Sequence, residues 1–360
     1  MCLAAQNYEF VPMSRILIAV LNWGMGHASR TLPIIEGALA NGWEVDVAST
    51  GDAMVWLKSR LKENERVKFF EKPGASIVYS KHFTMLTIAA QTPKLIKSIF
   101  DERLWTREHV LNRKISKIFS DNCYGVYHKE VPSILMTHLL RFPVATVFSP
   151  FAQIVVRNLA GRFNEVWVPD NHVGENSLAG VLTSKNIHKN TKFIGVLSRL
   201  KPFKGKSEFS LVGLVSGPEP HRSIMEKALR SWMREKGGKG LIIAGKPGGG
   251  ENVSENITTL YDPSDDEITA AICGAETLIC RSGYTTLLDL ASLGKRAILI
   301  ATPGQKEQEI LSEFWADKYG FAICTQQELE KLHVPRITGI APKTSVNQTA
   351  LNELAAWLKK

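Results

Sequence analysis

Several absences narrow the reading before any motif is considered. No apolar run approaches the roughly 20 residues that a membrane-spanning helix needs, so an integral membrane protein is not expected. The 5 cysteines (Cys2, Cys123, Cys273, Cys280 and Cys324) are odd in number and include no C-x-x-C pair. That argues against a disulfide framework and against a zinc site. Buried thiols in a reducing cytosol are expected instead, and the sequons at Asn252, Asn256 and Asn347 then carry no weight. Residues 1–12 lack the basic start and apolar core of a signal peptide, and Cys2 has no apolar stretch before it to suggest a lipid anchor. They precede a second methionine, Met13, and read as a poorly ordered extension or a misassigned start. There is no repeat at a period of roughly 20–50 residues and no low-complexity tract, which sets solenoids and propellers aside.

What is present is an ordinary globular composition, with 44% hydrophobic and 22% charged residues. At 360 residues the chain is too long for one typical core and comfortable for two α/β domains. The net charge of +9 is uneven: residues 1–195 hold 23 Lys and Arg against 16 Asp and Glu, the remainder 21 against 19. Lys94, Lys97, Arg103, Arg107, Arg113, Lys114 and Lys117 crowd one helical stretch. A solvated helix face would account for them, and so would peripheral contact with an anionic membrane. Nucleic acid is not expected, because no nucleic-acid motif accompanies the charge.

RILIAVL (15–21) is a short continuous apolar run, as a buried parallel strand requires. A glycine turn follows, then a helical pattern that stops at Asn41-Gly42, then the strand WEVDVAST. This is a βαβ unit. Further strands are expected at 67–71, around 117–122, at 133–139 and at 165–170. A second series has strands at 211–217, 239–245, 276–283 and 296–302, with helices near 221–236, 265–273 and after Gly283, and a glycine-rich loop KPGGG at 246–250. The basic, proline-containing passage 193–206 reads as the boundary. The resulting expectation is two doubly wound Rossmann-like domains facing across a cleft: residues 13–195, residues 196–345, and a final helix at 346–360 that could pack on either domain.

The turn Asn22-Trp23-Gly24-Met25-Gly26-His27 lies between strand and helix. Glycines there allow positive φ and close approach to a ligand, and the helix N-terminus favours an anion. The spacing is not G-x-G-x-x-G, and the second strand ends in Ala48-Ser49-Thr50 with no acidic residue for a ribose, so a dinucleotide site is not supported. His27 at a helix N-terminus is expected to have a low pKa and to suit a general base; capping the helix is the plainer role. Asp121, Asn122 and His138 end strands of the same domain, where cleft residues belong, and would either support His27 or serve local turns. Phe83, Met85, Leu86, Leu104 and Trp105 are apolar candidates for a lipid part of an acceptor, or simply core.

The stretch 280–311 adds a second corner. Ser282-Gly283 closes a buried strand and a helix begins at once, with Thr285, Thr286 and Asp289 on one face, suited to a phosphate and ribose hydroxyls. Arg281 would add positive charge or only anchor the strand end. Pro303-Gly304-Gln305-Lys306-Glu307-Gln308 supplies polar groups suited to sugar hydroxyls. Arg281-Ser282-Gly283, Thr286, Asp289, Pro303, Gln308 and Glu309 together resemble the C-terminal signature of family 28 glycosyltransferases, the group of the bacterial enzyme that adds N-acetylglucosamine to the lipid-linked peptidoglycan precursor. Gly24, Gly26 and His27 fall in register with that family's N-terminal glycine loop. Two departures stand out: Asp289 replaces a glutamate, and Glu309 replaces the second of two glutamines. The family's glycine loop before the first C-domain helix survives only as Ser216-Gly217-Pro218-Glu219-Pro220.

The resemblance implies a GT-B fold and an inverting, metal-independent hexosyltransferase with another acceptor. The C-terminal domain would hold a nucleotide-sugar, UDP-linked, through Ser216, Gly217, Tyr261, Arg281, Ser282, Gly283, Thr286, Asp289, Gln305 and Gln308. The N-terminal domain would hold a sugar or lipid-linked acceptor near Gly24, Met25, Gly26, Asp121 and His138, with His27 as base. No cofactor and no metal is expected. No D-x-D lies between strands, and Asp265-Asp266 reads as a helix start. A cytoplasmic protein, peripheral at the inner face of the plasma membrane and acting in cell-envelope glycan or glycolipid synthesis, would fit. A UDP-sugar 2-epimerase of the same fold and a non-catalytic nucleotide-sugar-binding protein remain open.

Overall fold

The computed structural model describes residues 14–75, 85–143, 149–172, 176–202, 209–217, 219–246, 249–342 and 344–360, with side chains from residue 91 onward in the helix that begins at Met85. Phe83 and residues 247–248 of the glycine-rich loop lie outside the described residues, as do Pro218 and the side chains of Met85 and Leu86.

The apolar runs of the first half form one sheet. In chain order it contains β1 (Arg15–Val20), α1 (Met25–Ala40), β2 (Glu44–Ser49), α2 (Gly51–Leu61), β3 (Val67–Glu71), α3 (Met85–Arg113), β4 (Lys117–Asp121), β5 (Ser133–Met136), α4 (Ser149–Ala160), β6 (Glu165–Val168) and β7 (Thr191–Phe193). The 7 strands are ordered β3-β2-β1-β4-β5-β6-β7, and every pairing is parallel. Alternate residues of β1 feed opposite faces, as a strand buried on both sides must. Ile16, Ile18 and Val20 meet Ala28, Leu32 and Ile35 of α1, whereas Leu17 and Ala19 meet Val110, Ile115 and Ile118.

The second half repeats the scheme with β8 (Leu211–Leu214), α5 (His221–Lys236), β9 (Gly240–Ile243), β10 (Glu251–Ser254), β11 (Ile257–Leu260), α6 (Asp265–Gly274), β12 (Thr277–Arg281), α7 (Tyr284–Leu293), β13 (Ile298–Ile300), α8 (Lys306–Tyr319), α9 (Gln326–Glu330) and α10 (Gln348–Leu358). Its strand order is β10-β11-β9-β8-β12-β13. The antiparallel β10–β11 hairpin at the edge is absent from the expectation. β10 is exposed and polar, so it has no apolar run to announce it. α10 returns to the first half: Ala350, Leu354, Trp357 and Leu358 join the core beneath α1. Gly37 lets that helix approach, since a Cβ there would lie 2.7 Å from Leu351 Cδ2.

α6 opens at Ser264 with a capping box, Ser264 and Glu267 each bonding the other's backbone N–H, as the acidic pair implied. Among the described residues the cysteines are unpaired as disulfides, no group of three or more His, Cys, Asp or Glu could hold a metal ion, and no helix is long and apolar enough to cross a membrane.

Both sheets reverse their strand order at a switch point, between β1 and β4 in the first and between β8 and β12 in the second. In open α/β sheets a ligand crevice lies outside the C-terminal strand ends at such a point. The two glycine corners follow β1 and β12, so each borders its own sheet's crevice.

Candidate active site

The first corner is shaped by two glycines with different tasks. Gly24, at the N-cap of α1, has φ +94°, a conformation costly for any residue with a Cβ. Gly26 is needed for approach: a Cβ there would lie 2.9 Å from Thr285 Oγ1 of the other half. Thr285 Oγ1 instead donates to Gly26 O at 3.1 Å, so the corner after β1 touches the first turn of α7 directly. Asn22 holds the start of α2, accepting from Ala53 N at 3.1 Å. Trp23 stands 38% exposed beside it.

His27, in the first turn of α1, faces a buried polar cluster. Its Nδ1 is 3.1 Å from Asp121 Oδ2 at the end of β4 and 2.9 Å from Arg30 Nη2. Arg30, one turn on, grips the same carboxylate through Nε at 3.1 Å and through Nη2, and Thr31 Oγ1 adds a third bond at 2.9 Å. Burial alone would push the Asp121 carboxyl up; the Arg30 guanidinium, then His27, overcome this and hold it well below the usual range. Arg30 Nη1 also reaches His138 Nδ1 at 3.2 Å. His138 Nε2 in turn meets Glu307 Oε1 of α8 at 2.8 Å. His138 stacks on Tyr284 of α7, with centroids 4.0 Å apart at 10°. Burial pulls the His138 imidazole down despite Glu307. Burial pushes the Glu307 carboxyl up, but His138 keeps it below its ordinary value.

The second corner has Gly283 at the N-cap of α7. Ser282 is fully buried and donates to Gln308 O at 2.8 Å, tying the turn to α8. Gln308 Oε1 accepts from Thr302 N at 2.9 Å, and its amide donates to Gln305 Oε1 at 2.6 Å. Ser216 and Gly217 follow β8, and a Cβ on Gly217, at φ +98°, would lie 3.9 Å from Thr302 Oγ1. Thr286 is half-buried in the first turn of α7.

The structure thus brings Gly26, His27, Asp121, His138, Gly283 and Thr285 into one contiguous cluster, and it places the other expected residues differently. Arg281 is fully buried; its guanidinium donates to Ala301 O, His221 O and Gln326 Oε1, at 3.1, 3.0 and 2.7 Å. It anchors the strand end and does not border the crevice. Asp289 is engaged by Ser198 Oγ at 2.6 Å, and burial pushes its carboxyl up to about 6. Met25 packs against the core under α1. Tyr261 has its backbone N–H on Gly250 O at 3.0 Å and its carbonyl on Lys246 N at 2.6 Å, so neither group points outward. Of the apolar candidates, Trp105 stacks on His109 at 4.5 Å, and Leu104 is exposed. Arg30, Ser198 and Arg199 escaped the sequence reading. An arginine three residues after a histidine is ordinary on a helix surface, and only the position of β4 makes it a buried bridge.

Three comparisons bear on this arrangement. Residues 246–347 match the glycosyltransferase family 28 C-terminal domain. Among solved structures, the glycosyltransferase of kitacinnamycin is 14% identical at TM-score 0.60, covering 96% of this chain and 91% of that one. A UDP-glucosyltransferase from Polygonum tinctorium capable of glucosylating indoxyl is 10% identical at TM-score 0.60, covering 97% and 99%. MurG of Acinetobacter baumannii is 15% identical at TM-score 0.50, covering 96% and 94%. No curated protein sequence matches significantly. The two facing parallel-sheet halves are a GT-B fold. Within it, residues 246–347 are similar to the C-terminal domain of family 28 glycosyltransferases.

Proposed function

We propose that this chain transfers a sugar from a nucleotide-sugar, UDP-linked, to an acceptor hydroxyl, with inversion at the anomeric carbon. The observation that carries the reading is the contact of two strand-to-helix corners, with His27 on one and the N-terminus of α7 on the other. A diphosphate between them would meet the positive end of α7 and the turn at Ser216 and Gly217. Thr286, Gln305 and Gln308 would serve the sugar and phosphate oxygens. With Nδ1–H donated to Asp121, Nε2 of His27 carries a lone pair that can take the acceptor proton as the hydroxyl attacks, and Asp121 then stabilises the imidazolium. The helix N-terminus stabilises the departing diphosphate, so no metal is required and turnover is expected to survive EDTA. Asp289 is free for a ribose only once Ser198 lets go.

The acceptor side is read from α3. Ile96, Phe100 and Leu104 recur every four residues and are 63%, 61% and 44% exposed, with Lys94, Lys97 and Arg107 exposed along the same helix. Apolar groups amid cations suit the surface of an anionic bilayer, and a lipid-linked acceptor in envelope glycan or glycolipid synthesis.

The test is thermal stabilisation by UDP-, GDP-, CDP- and TDP-sugars, followed by transfer assays with the stabilising donor and a panel of sugar and glycolipid acceptors. Stabilisation by a UDP-sugar and product with an inverted linkage are expected. Epimerised sugar formed without acceptor, or donor binding with no transfer to any acceptor, would overturn the reading.

A further inference from the structure

His138 and Glu307 are the part of the cluster that neither corner explains. They come from different halves, 169 residues apart, and meet at 2.8 Å. A guanidinium has only donors to offer. The Glu307 carboxylate at Nε2 draws the ring proton of His138 to that side, which leaves a lone pair on Nδ1 facing Arg30 Nη1 at 3.2 Å. His27 Nδ1, in contrast, has both a carboxylate and a guanidinium in reach. The ring cannot easily turn to another arrangement: Tyr284 stacks on it, and the Tyr284 hydroxyl is itself fixed on Pro169 O at 2.6 Å.

This arrangement matters for His27 because Arg30 has three claims on it. It holds Asp121, it holds His138, and its Nη2 lies 2.9 Å from His27 Nδ1. If Arg30 donates to that nitrogen, the His27 proton moves to Nε2 and no lone pair faces the crevice. If Asp121 receives the proton of Nδ1, the lone pair on Nε2 is available. Were His138 to carry its proton on Nδ1, an N–H would face the guanidinium N–H, and Arg30 would be driven from that anchor toward His27.

We propose that Glu307 is a positioning residue that acts across the cleft, through His138 and Arg30, to keep the Asp121–His27 pair in its base-competent arrangement. The inference rests on the transfer reading above. The buried, downward-shifted imidazole of His138 agrees with a neutral ring that accepts on one side and donates on the other. Because Glu307 opens α8 on the half that carries the second corner, the base is aligned only while the two halves are together.

The experiment combines nitrogen NMR of histidine-labelled protein, with the His138 signals assigned by H138N, and steady-state kinetics of E307A and E307Q. The wild-type ring is expected to be protonated on Nε2 alone, and E307A to shift it toward the other tautomer. E307A should lower kcat by about tenfold to a hundredfold, the scale of a misplaced catalytic group, with the donor KM changed by no more than about twofold. E307Q, whose amide oxygen can still accept, should restore most of that kcat. An unchanged His138 tautomer in E307A, or a raised donor KM at constant kcat, would overturn the proposal, the latter marking Glu307 as a donor ligand. If wild-type protein transfers no sugar, the functional reading fails by itself, while the tautomer measurement still decides whether Glu307 governs His138.

Discussion

One nitrogen of His27 lies within hydrogen-bond reach of both a carboxylate and a guanidinium, and the chemistry available at the other nitrogen depends on which of them it serves. H27A is expected to lower kcat by roughly 10²–10⁴-fold, the usual effect of a lost general base, with little change in donor affinity. Steady-state kinetics with a UDP-sugar check this, and an unaltered kcat would return His27 to a capping role. Asp289 offers a second measurement at the same scale. Its carboxyl, at about 6, lies above the ordinary 3.8 because burial disfavours the charge. A group raised in this way destabilises the fold in its charged form; the penalty is absent below pH 3.8 and complete above pH 6. D289N should therefore match wild type near pH 4 and exceed it above pH 6, by up to about 2 kcal/mol once partial exposure is discounted. Denaturant melts at the two pH values test this, and a constant difference would contradict it. The same variant should lose most of the stabilisation that UDP gives.

At the scale of the element, α3 carries exposed apolar side chains, Ile96, Phe100 and Leu104, along its outward face. Replacing Ile96 and Phe100 together by Glu should leave the melting temperature nearly unchanged, since both side chains are exposed, and abolish flotation with vesicles containing anionic lipid. Equal flotation of the double variant would remove the membrane reading. The elements themselves were legible in proportion to their apolar periodicity. β1, β8, β12 and β13 are runs of buried residues in parallel sheets, and each reads directly from sequence. β10 is polar and solvent-facing, and its place is set by pairing with β11. The corners were legible because glycine and helix start fall together at the end of a strand. Asp121, 94 residues from His27 in sequence, was legible as a supporting residue because it ends a neighbouring strand. Arg30 and the His138–Glu307 pair were not tied to it, since only the strand order brings them near. Arg281 misled for the opposite reason, since a buried guanidinium held through Nη1 and Nη2 by two backbone carbonyls and Gln326 reads in sequence like any cation beside a phosphate turn.

For the molecule as a whole, the two halves meet through polar contacts at the cleft wall as well as at the corners. Arg60 of α2 and Arg199 both bond Asp265 at the start of α6, at 3.5 and 2.7 Å, and Arg199 also donates to Ser29 Oγ. D265A should loosen this wall, raising the radius of gyration in solution scattering without UDP and leaving it unchanged at saturating UDP; identical curves in both states would show that the latch bears no load. The backbone passes between the halves twice. Residues 194–200 leave the first sheet, and residues 344–347 come back to it. The two passages run side by side, with Val196 bridged to Val346 and Asn347 bonded to Val196 O, Ser198 N and Ser198 O. A single strap would let one half swivel freely beneath the other. Two straps zipped together are expected to confine the halves to a clamshell movement about one axis, so that the corners would part along the path by which they met.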